Sequence, residues 1–413
     1  MIYATSSSEC HPGTLFGLVV SSFVLNHAFK RFVRQKNPQS GKVGDRAARA
    51  SIRQKFNPKK AAPDDVDVIV VGSGMGGLSC AAILARLGKK VLVLEQHNDV
   101  AGGGTHQFDL QGYRFDSGLH YTVPWSVPIF ALTCGKKEAD VCQFDLMGDL
   151  EATVDKIHLH DTTKGSSTVA PPFNMKLHEK HLNTLYNDFP DDRRGLDKFM
   201  SLSDKAMLFV KIFIAMRLFP RWMQRLLWKL VPSGILKVVA CTSEEILPTL
   251  TSNKRLMSLL SSMWIDTGAR PDRASFMMTA AVFRGVAMEG GCYPAEGAEA
   301  MALELAHVIT SHGGSILVRA KVNEIIVEEG RVTGVRVSRA PSNGPLSAAG
   351  ASYSSSSMVI KCNRVVSACG YSNTFDRLLS PDVLRHYNIP RTLAVEQSAG
   401  FVMANIGKLH TSK

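Results

Sequence analysis

The chain has 413 residues, 45% of them hydrophobic, and a formal net charge of +12 at pH 7. This length allows two domains, or one large domain with an insertion, and the hydrophobic fraction suffices for a buried core. Residues 30–60 hold eleven Lys and Arg and one acid, so the remainder carries only about +2 and a basic nucleic-acid groove is excluded. No nucleic-acid partner is predicted.

The cysteines and histidines show no metal-site spacing. Eight cysteines are scattered along the chain without a Cys-x-x-Cys pair, so neither a zinc site nor a disulfide framework is predicted. His97 and His106 also lack the spacing of metal ligands. We therefore predict no metal, and reduced thiols in a protein whose core faces the cytosol.

The first sixty residues are predicted to form a separate segment. Residues 10–29 contain no full charge, and Lys30 and Arg31 follow at once. Twenty such residues are just long enough to span a bilayer, which favours a membrane anchor or an interfacial helix. A cleaved targeting peptide and an artefact of gene prediction are the alternatives. The basic stretch up to Lys60 is interpreted as a polar linker that can also lie against anionic lipid headgroups.

A strand–turn–helix–strand pattern follows this segment. Residues 68–71 form a short apolar run, as a strand buried on both faces does. A helix rich in Ala and Leu is predicted over about 75–87, with Gly88 as its C-terminal stop. Residues 91–94 form a second apolar strand. This order is typical of a mononucleotide-binding unit.

The glycines of the first turn predict a dinucleotide site. Gly72 permits a tight turn, Gly74 lets a phosphate approach the backbone, and Gly77 lets the helix lie close to the sheet. The N-terminus of the helix then faces the pyrophosphate. Glu95 ends the second strand, where a carboxylate accepts hydrogen bonds from the adenosine ribose. The same carboxylate disfavours the 2′-phosphate of NADP in this site.

A second glycine cluster, Gly102 to Gly104, follows soon after the acid. Such a cluster is unusual for a nicotinamide enzyme and suits a flavoprotein, in which a second loop wraps the pyrophosphate and the ribityl chain. Residues 113–121 then predict a strand and a turn that pass beneath a planar ring. These features predict FAD as the cofactor. NAD or NADP stays open as the electron donor, although the sequence contains only one dinucleotide fingerprint and a separate nicotinamide site is not visible in it.

Several short motifs together resemble the family of retinol saturases, carotenoid isomerases and phytoene desaturases. They are Val-Gly-Ser-Gly-Met-Gly-Gly-Leu, Val-Leu-Val-Leu-Glu-Gln-His, Ala-Gly-Gly, Phe-Asp-Ser-Gly-Leu-His-Tyr, Gly-Gly-Cys-Tyr-Pro, Ala-Lys-Val and Val-Val-Ser-Ala-Cys-Gly. The resemblance covers roughly residues 45–407 and is weakest between 124 and 279. It implies a Rossmann-type α/β FAD-binding domain, three-layered around a parallel sheet, with an inserted α+β substrate-binding domain.

The resemblance also implies a division of the chain. Residues 1–60 form the N-terminal segment, 61–123 the first part of the FAD-binding domain, 124–295 the substrate-binding insertion and 296–413 the second part of the FAD-binding domain. Relatives of this kind continue beyond the position of Lys413 with a segment that closes the flavin site. We therefore expect the flavin domain to be incomplete at its C-terminus.

A basic amphipathic segment lies inside the predicted insertion. Residues 221–230 alternate Arg and Lys with Trp, Met and Leu between Pro220 and Pro232. Such a segment is typical of a helix that lies in a membrane interface. The alternative is that its apolar side chains form part of the core of the insertion.

The predicted site residues follow from the motifs and from the resemblance. The cofactor-binding residues are predicted to be Gly72, Ser73, Gly74, Gly76, Gly77, Glu95, Gln96, Gly102, Gly103, Gly104, Val322 and Gly370. No catalytic residue is assigned, but His120, Tyr121 and Tyr293 are candidate proton donors from their motif positions. Structural or cofactor contacts are the alternative for each of the three.

The resemblance implies an oxidoreductase acting on CH–CH groups, which saturates the 13,14 double bond of all-trans-retinol. A carotenoid cis–trans isomerase or phytoene desaturase-like enzyme is the second hypothesis, and a non-catalytic membrane-tethered fragment is the third. The implied partners are a lipophilic polyene and a membrane surface, with the oligomeric state open. The implied location is the endoplasmic reticulum membrane, or a plastid or another organelle if the N-terminus is cleaved.

Overall fold

The computed structural model describes residues 46–60, 65–147, 153, 155–159, 171–217, 219–340 and 357–389. The predicted membrane segment at residues 10–29 lies outside these ranges. The strands are β1 Val68–Val71, β2 Val91–Leu94, β3 Gln107–Leu110, β4 Tyr113–Asp116, β5 Phe144–Leu146, β6 Asp155–Ile157, β7 Phe173–Met175, β8 Cys292–Pro294, β9 Ser315–Leu317, β10 Ala320–Glu328, β11 Arg331–Arg339, β12 Ser357–Lys361 and β13 Val365–Ser367. The α-helices are α1 Arg46–Ser51, α2 Met75–Arg86, α3 Ser126–Cys134, α4 His178–Asp188, α5 Arg193–Met216, α6 Arg221–Trp228, α7 Ser233–Ala240, α8 Ser243–Ile246, α9 Lys254–Leu260, α10 Trp264–Thr267, α11 Phe276–Val282, α12 Glu299–Ser311 and α13 Pro381–His386.

A parallel sheet in the order β13-β1-β2-β9 forms the centre of the nucleotide-binding domain. Strands β1 and β2 are buried on both faces, so successive side chains enter different cores. Val68 and Val70 pack with helices α2 and α12, whereas Ile69 and Val71 pack with the sheet β10-β11-β12. The predicted Rossmann-type, three-layer architecture is therefore present: helices, parallel sheet and a second, antiparallel sheet.

Residues 46–57 belong to this domain, which corrects the interpretation of the stretch up to Lys60 as a polar linker. Ile52 and Phe56 are buried, one in each of the two cores that flank the parallel sheet. Arg53 pairs with the buried Glu299 of α12, its Nη2 atom 2.5 Å from Oε1. The basic composition concealed this role, because Arg49 and Arg53 serve a buried carboxylate and the apolar anchors are sparse.

Two closely spaced strands follow helix α12. β9 ends at Leu317, and β10 begins at Ala320 in the antiparallel sheet. Arg319 lies between them with φ of +58°, a left-handed conformation that side chains adopt only at a cost. Its Nε atom donates to the carbonyl of Ala340 at 2.8 Å. This contact from a distant part of the chain was not visible in the sequence.

The insertion is mainly helical between residues 178 and 288, with a core of its own. Phe199, Phe276 and Phe283 meet in edge-to-face contacts at its centre. The predicted boundary at residue 124 stays a prediction, although α3 packs Phe130 and Cys134 against the nucleotide-binding core. Among the described residues, no helix is both long and apolar enough to cross a bilayer.

Candidate dinucleotide-binding site

The turn after β1 is shaped by close backbone contacts on one side and open space on the other. Gly72 has φ of +96°, and a side chain at Gly77 would collide with the carbonyl oxygen of Gly72. A Cβ at Gly74 or Gly76 would meet no protein atom within 4 Å. Gly74 caps α2 without a side-chain hydrogen bond to the first turn. The open side therefore offers backbone N–H groups and a helix N-terminus, which suit a pyrophosphate.

The second glycine cluster lies directly against the first turn. A Cβ at Gly103 would lie 2.7 Å from Cα of Gly74, and Gly103 has φ of +56°. Gly102 has φ of +135° and is buried. Gly104 is exposed, and a methyl group added there would meet open space. The two loops together form a glycine-lined cradle whose free face can accept a phosphate chain.

Ser73 connects three parts of this cradle. Its side chain is fully buried, and its Oγ donates to Oε2 of Glu95 at 2.6 Å. The same Oγ accepts from the backbone N–H of Gly102 at 3.1 Å. The Ser73 N–H also donates to Oε2 of Glu95, at 2.9 Å. The predicted contact of Ser73 with the cofactor stays a prediction, while its hydroxyl contacts Glu95 and the second loop.

Two histidines support the second loop. The rings of His97 and His106 lie 4.7 Å apart, and His106 donates through Nδ1 to the carbonyl of Gly103 at 2.6 Å. Nδ1 of His97 accepts from the N–H groups of Asp99 and Val100. Burial and the neighbouring His106 lower the pKa of His97, which favours the neutral ring needed for these contacts. The sequence shows only that the two histidines lack the spacing of metal ligands, and it contains no signal for this role.

The remaining predicted cofactor residues converge on the same edge of the sheet. The loop after β13 reaches the first turn, because a Cβ at Gly72 would lie 3.2 Å from the Ala368 carbonyl oxygen. Gly370 follows with φ of +92° and open space around it. Val322 lies in β10. This strand begins beside Glu95, because the Ala320 N–H donates to the Glu95 carbonyl at 2.7 Å. Gln96 is exposed next to Glu95.

The candidate proton donor Tyr293 is engaged by a carboxylate. Its hydroxyl donates to Oδ2 of Asp116 and accepts from the N–H of Ala298 at 3.1 Å. Gln107 donates to the other oxygen of Asp116 at 2.9 Å. Burial, followed by the Asp116 carboxylate, raises the pKa of Tyr293 to about 12. Tyr293 thus connects β8 to the hairpin β3-β4, and its hydroxyl proton is donated to Asp116.

His120 and Tyr121 share a second carboxylate, Asp266, which belongs to α10 of the insertion. The Tyr121 hydroxyl donates to Asp266, and burial followed by this contact raises the Tyr121 pKa well above its ordinary value. Nε2 of His120 lies 4.0 Å from Oδ1 of Asp266. The His120 side chain is 58% exposed, whereas that of Asp266 is 19% exposed. Of the three candidates, His120 is the one whose side chain is mostly exposed and also lies near a carboxylate.

An apolar cleft of about 430 Å³ lies beside the β5-β8 ribbon. Its lining is Pro124, Val127, Glu138, Ala139, Val141, Cys142, Gln143, Phe144, Leu146 and Cys292. Cys292 precedes Tyr293 on β8, so successive side chains of one strand point to the cleft and to Asp116. The volume is in the range of small-molecule sites.

Comparison with known proteins identifies relatives of this chain. Residues 70–132 match the model of the NAD(P)-binding Rossmann-like domain. The chain is 28% identical to the inactive all-trans-retinol 13,14-reductase of Danio rerio over 90% of its own length, and 28% identical to the all-trans-retinol 13,14-reductase of the same organism over 88%. It is also 28% identical to the neurosporene-forming phytoene desaturase of Cereibacter sphaeroides over 78%. The chain covers 58%, 57% and 56% of these three relatives, respectively.

These similarities confirm the predicted resemblance, the Rossmann-type fold and the class of the cofactor. The matched residues contain the end of β1, all of α2 and β2, and both glycine loops. The three relatives are named as reductases or a desaturase, one of them inactive. The roles of the individual site residues stay predictions that rest on the geometry of the cradle and its neighbours.

Proposed function

We propose that this protein is an FAD-dependent oxidoreductase that saturates the 13,14 double bond of all-trans-retinol to give all-trans-13,14-dihydroretinol. The observation that carries the proposal is the double glycine cradle, in which Gly103 lies against Gly74 and Ser73 links Glu95 to the second loop. A second loop in this position suits the longer FAD molecule. The polyene class is supported by the similarity to retinol reductases and to a phytoene desaturase.

Different residues of the chain would contact different parts of FAD. The N-terminus of α2 would face the pyrophosphate, Glu95 the adenosine ribose, and β10 around Val322 the adenine. FAD, when bound, supplies the hydride for one carbon of the double bond. The residues around it orient the polyene, exclude water and deliver a proton to the neighbouring carbon.

The proposed proton donor is His120. Saturation of a carbon–carbon double bond requires a proton as well as a hydride, and a general acid needs a pKa near the working pH. The Tyr121 and Tyr293 hydroxyls already donate to carboxylates, and both have raised pKa values. Asp266 lies 4.0 Å from Nε2 of His120, where it would hold the protonated ring in place. Asp266 is thus a positioning residue.

The cleft beside β5 and β8 is the proposed binding site for the polyene. Eight of its ten lining residues are apolar, counting Cys142 and Cys292 as small hydrophobes, and the other two are Glu138 and Gln143. Such a lining favours a hydrocarbon chain over a charged substrate. Because polyenes dissolve in bilayers, we also propose that the protein works at a membrane surface, that of the endoplasmic reticulum.

The proposal is tested by reconstitution of the chain with FAD and product analysis. The visible spectrum should show bound flavin, and Gly74→Val should lose it without unfolding, since a side chain there meets no protein atom. With flavin reduced chemically, all-trans-retinol should yield the dihydro product. NADH and NADPH are then compared as electron donors. Recovery of NADP instead of flavin would overturn the cofactor assignment.

Two other results would select the other hypotheses. Conversion of lycopene isomers or phytoene, without conversion of retinol, would favour an isomerase or a desaturase. Bound flavin without turnover of any polyene would favour a non-catalytic protein, in line with the similarity to a reductase named inactive. His120→Gln should lower kcat with little change in KM, whereas Tyr121→Phe should leave kcat nearly unchanged.

A further inference from the structure

Helix α6 presents apolar side chains to solvent instead of burying them. None of its eight residues, all of which the structure describes, is buried. Trp222 is 62% exposed and Leu226 55% exposed, and Leu230 follows four residues later at 46%. At this spacing Trp222 and Leu226 form one row on a face of α6, and Leu230 follows in the turn after the helix. A helix with two tryptophans, two leucines and a methionine would ordinarily bury such a row.

The other side of the helix packs on the insertion. Leu227 packs on a small cluster formed by Phe209, Met216, Val231 and Ile235. The Trp228 ring meets Phe209 edge-on at 5.9 Å. The exposed row is therefore an ordered feature of the insertion, because the opposite face anchors α6 to α5 and α7.

A row of cations runs beside the apolar row. Arg221, Arg225 and Lys229 are exposed and repeat at the same four-residue spacing, one position before each apolar residue. The stretch 205–243 contains seven Lys and Arg and no acid. Arg217, at the end of α5, lies over the Phe213 ring at 4.7 Å. A protein partner with ordinary mixed charges would not match so one-sided a surface, whereas an anionic surface would.

We propose that this surface, the α6 ridge (Arg221, Trp222, Arg225, Leu226, Lys229 and Leu230), docks on an anionic lipid bilayer. The apolar row would enter the boundary between headgroups and acyl chains, with the indole at the interface. The cations would contact the phosphates and the serine carboxylates of the headgroups. The ridge is a contact within the insertion, distinct from the N-terminal segment. It goes beyond the proposed reaction, since lipid binding does not require flavin or turnover.

The 413-residue chain is tested with vesicles of brominated phosphatidylcholine containing about 30% phosphatidylserine. Brominated acyl chains quench tryptophans that enter the bilayer. The wild-type protein should be quenched, and Trp222→Phe should lose most of that quenching. Trp264→Phe is the matched control, since Trp264 lies in α10 and is partly buried. Equal quenching in Trp222→Phe and in the wild type would overturn the proposal.

The cationic row is tested by flotation with the same vesicles. Arg221→Gln with Arg225→Gln should weaken binding about twenty-five-fold at low salt, at about five-fold for each charge. Lys89→Gln with Lys361→Gln removes two exposed charges from the nucleotide-binding domain and should change binding little. The alternative is that a second copy of the chain covers the ridge. In that case the wild type would sediment as a dimer and Trp222→Ser as a monomer, while flotation would be unchanged. Flavin content, measured in parallel, reports separately on the proposed function.

Discussion

The nucleotide-binding core and the insertion differ in where they place their charged groups. In the core, charged groups are buried with specific partners: Glu299 with Arg49 and Arg53, and Glu304 with Lys136. In the insertion, the buried His181 lies between the rings of Phe173 and Phe283 and its Nδ1 has no partner among the described residues. Many of the insertion's cations lie on its surface, in a stretch without acids.

This difference fits the contacts proposed for each region. A phosphate-bearing cofactor has a fixed shape, so the loops that hold it need backbone positions locked by hydrogen bonds and close glycine contacts. A hydrocarbon and a bilayer have no such fixed polar pattern, so the insertion relies on apolar volume and one-sided charge. Substitutions in the core should therefore change stability by removing hydrogen-bond or ion-pair partners. Substitutions in the insertion should act through the free energy of removing side chains from water.

The largest effect is expected at the buried pair of Lys136 and Glu304. Nζ of Lys136 lies 2.8 Å from Oε2 of Glu304, and the two side chains are 6% and 1% exposed. Burial raises the Glu304 pKa even though Lys136 opposes that shift. Glu304→Ala would strand a buried ammonium and should lower the free energy of unfolding by about 3–5 kcal/mol, measured by urea denaturation.

Two variants frame that result. Glu324 and Arg336 form a similarly close ion pair, but both side chains are exposed. Glu324→Ala breaks this pair and should lower the free energy of unfolding by no more than about 1 kcal/mol. Lys136→Met combined with Glu304→Leu should recover most of the loss, since both charges are then absent. A Glu304→Ala protein as stable as Glu324→Ala would mean that the pair is not protected from solvent.

The two neighbouring glycines of the second loop should respond very differently. Gly103→Ala places a methyl group 2.7 Å from Cα of Gly74 at a φ of +56°, so both loops must shift. We expect a loss of about 1–3 kcal/mol in stability, together with most of the FAD affinity. Gly104→Ala has open space and should retain near-normal flavin content by absorbance. Similar flavin content in the two variants would contradict the assigned stacking of the loops.

His181 should make the insertion sensitive to acid. It is 4% exposed, and burial lowers its pKa to about 4, against 6.5 for an unperturbed histidine. The unfolded chain therefore binds the proton first, so stability is complete above pH 6.5 and is lost as the pH falls toward about 4. Between pH 6.5 and about pH 5 the loss should be roughly 1.5 kcal/mol. His181→Leu should flatten that interval in urea titrations, and an unchanged slope would exclude His181 as its cause.

The backbone of the nucleotide-binding domain was predictable because its rules are local. A buried strand, three glycines and an acid follow one another within about thirty residues, and each has a short-range physical reason. The inner contacts were not predictable, since they join distant residues. Asp116 with Tyr293 and Asp266 with Tyr121 are separated by many residues, and no spacing rule pairs them.

The basic composition concealed the burial of Ile52 and Phe56, and the sequence left the placement of Trp222 open. Ile52 and Phe56 are isolated apolar residues in a basic stretch, so the average over the stretch concealed that each enters a core. The sequence allows Trp222 to be either interfacial or core, because a helical pattern shows which residues share a face but not what covers that face. The structure places Trp222 at the surface.

The smallest predicted effect concerns Ser73, whose hydroxyl is buried in the cradle. Ser73→Ala removes the donor to Glu95 and the acceptor for Gly102 N–H, while the Ser73 N–H still donates to the same carboxylate. Because that backbone contact persists, the loss should be about 1 kcal/mol, or about five-fold weaker FAD binding by fluorescence quenching. Ser258→Ala is the control, since Ser258 is exposed and donates to the Lys254 carbonyl within its own helix. Unchanged FAD affinity in Ser73→Ala would show that the backbone alone positions Glu95.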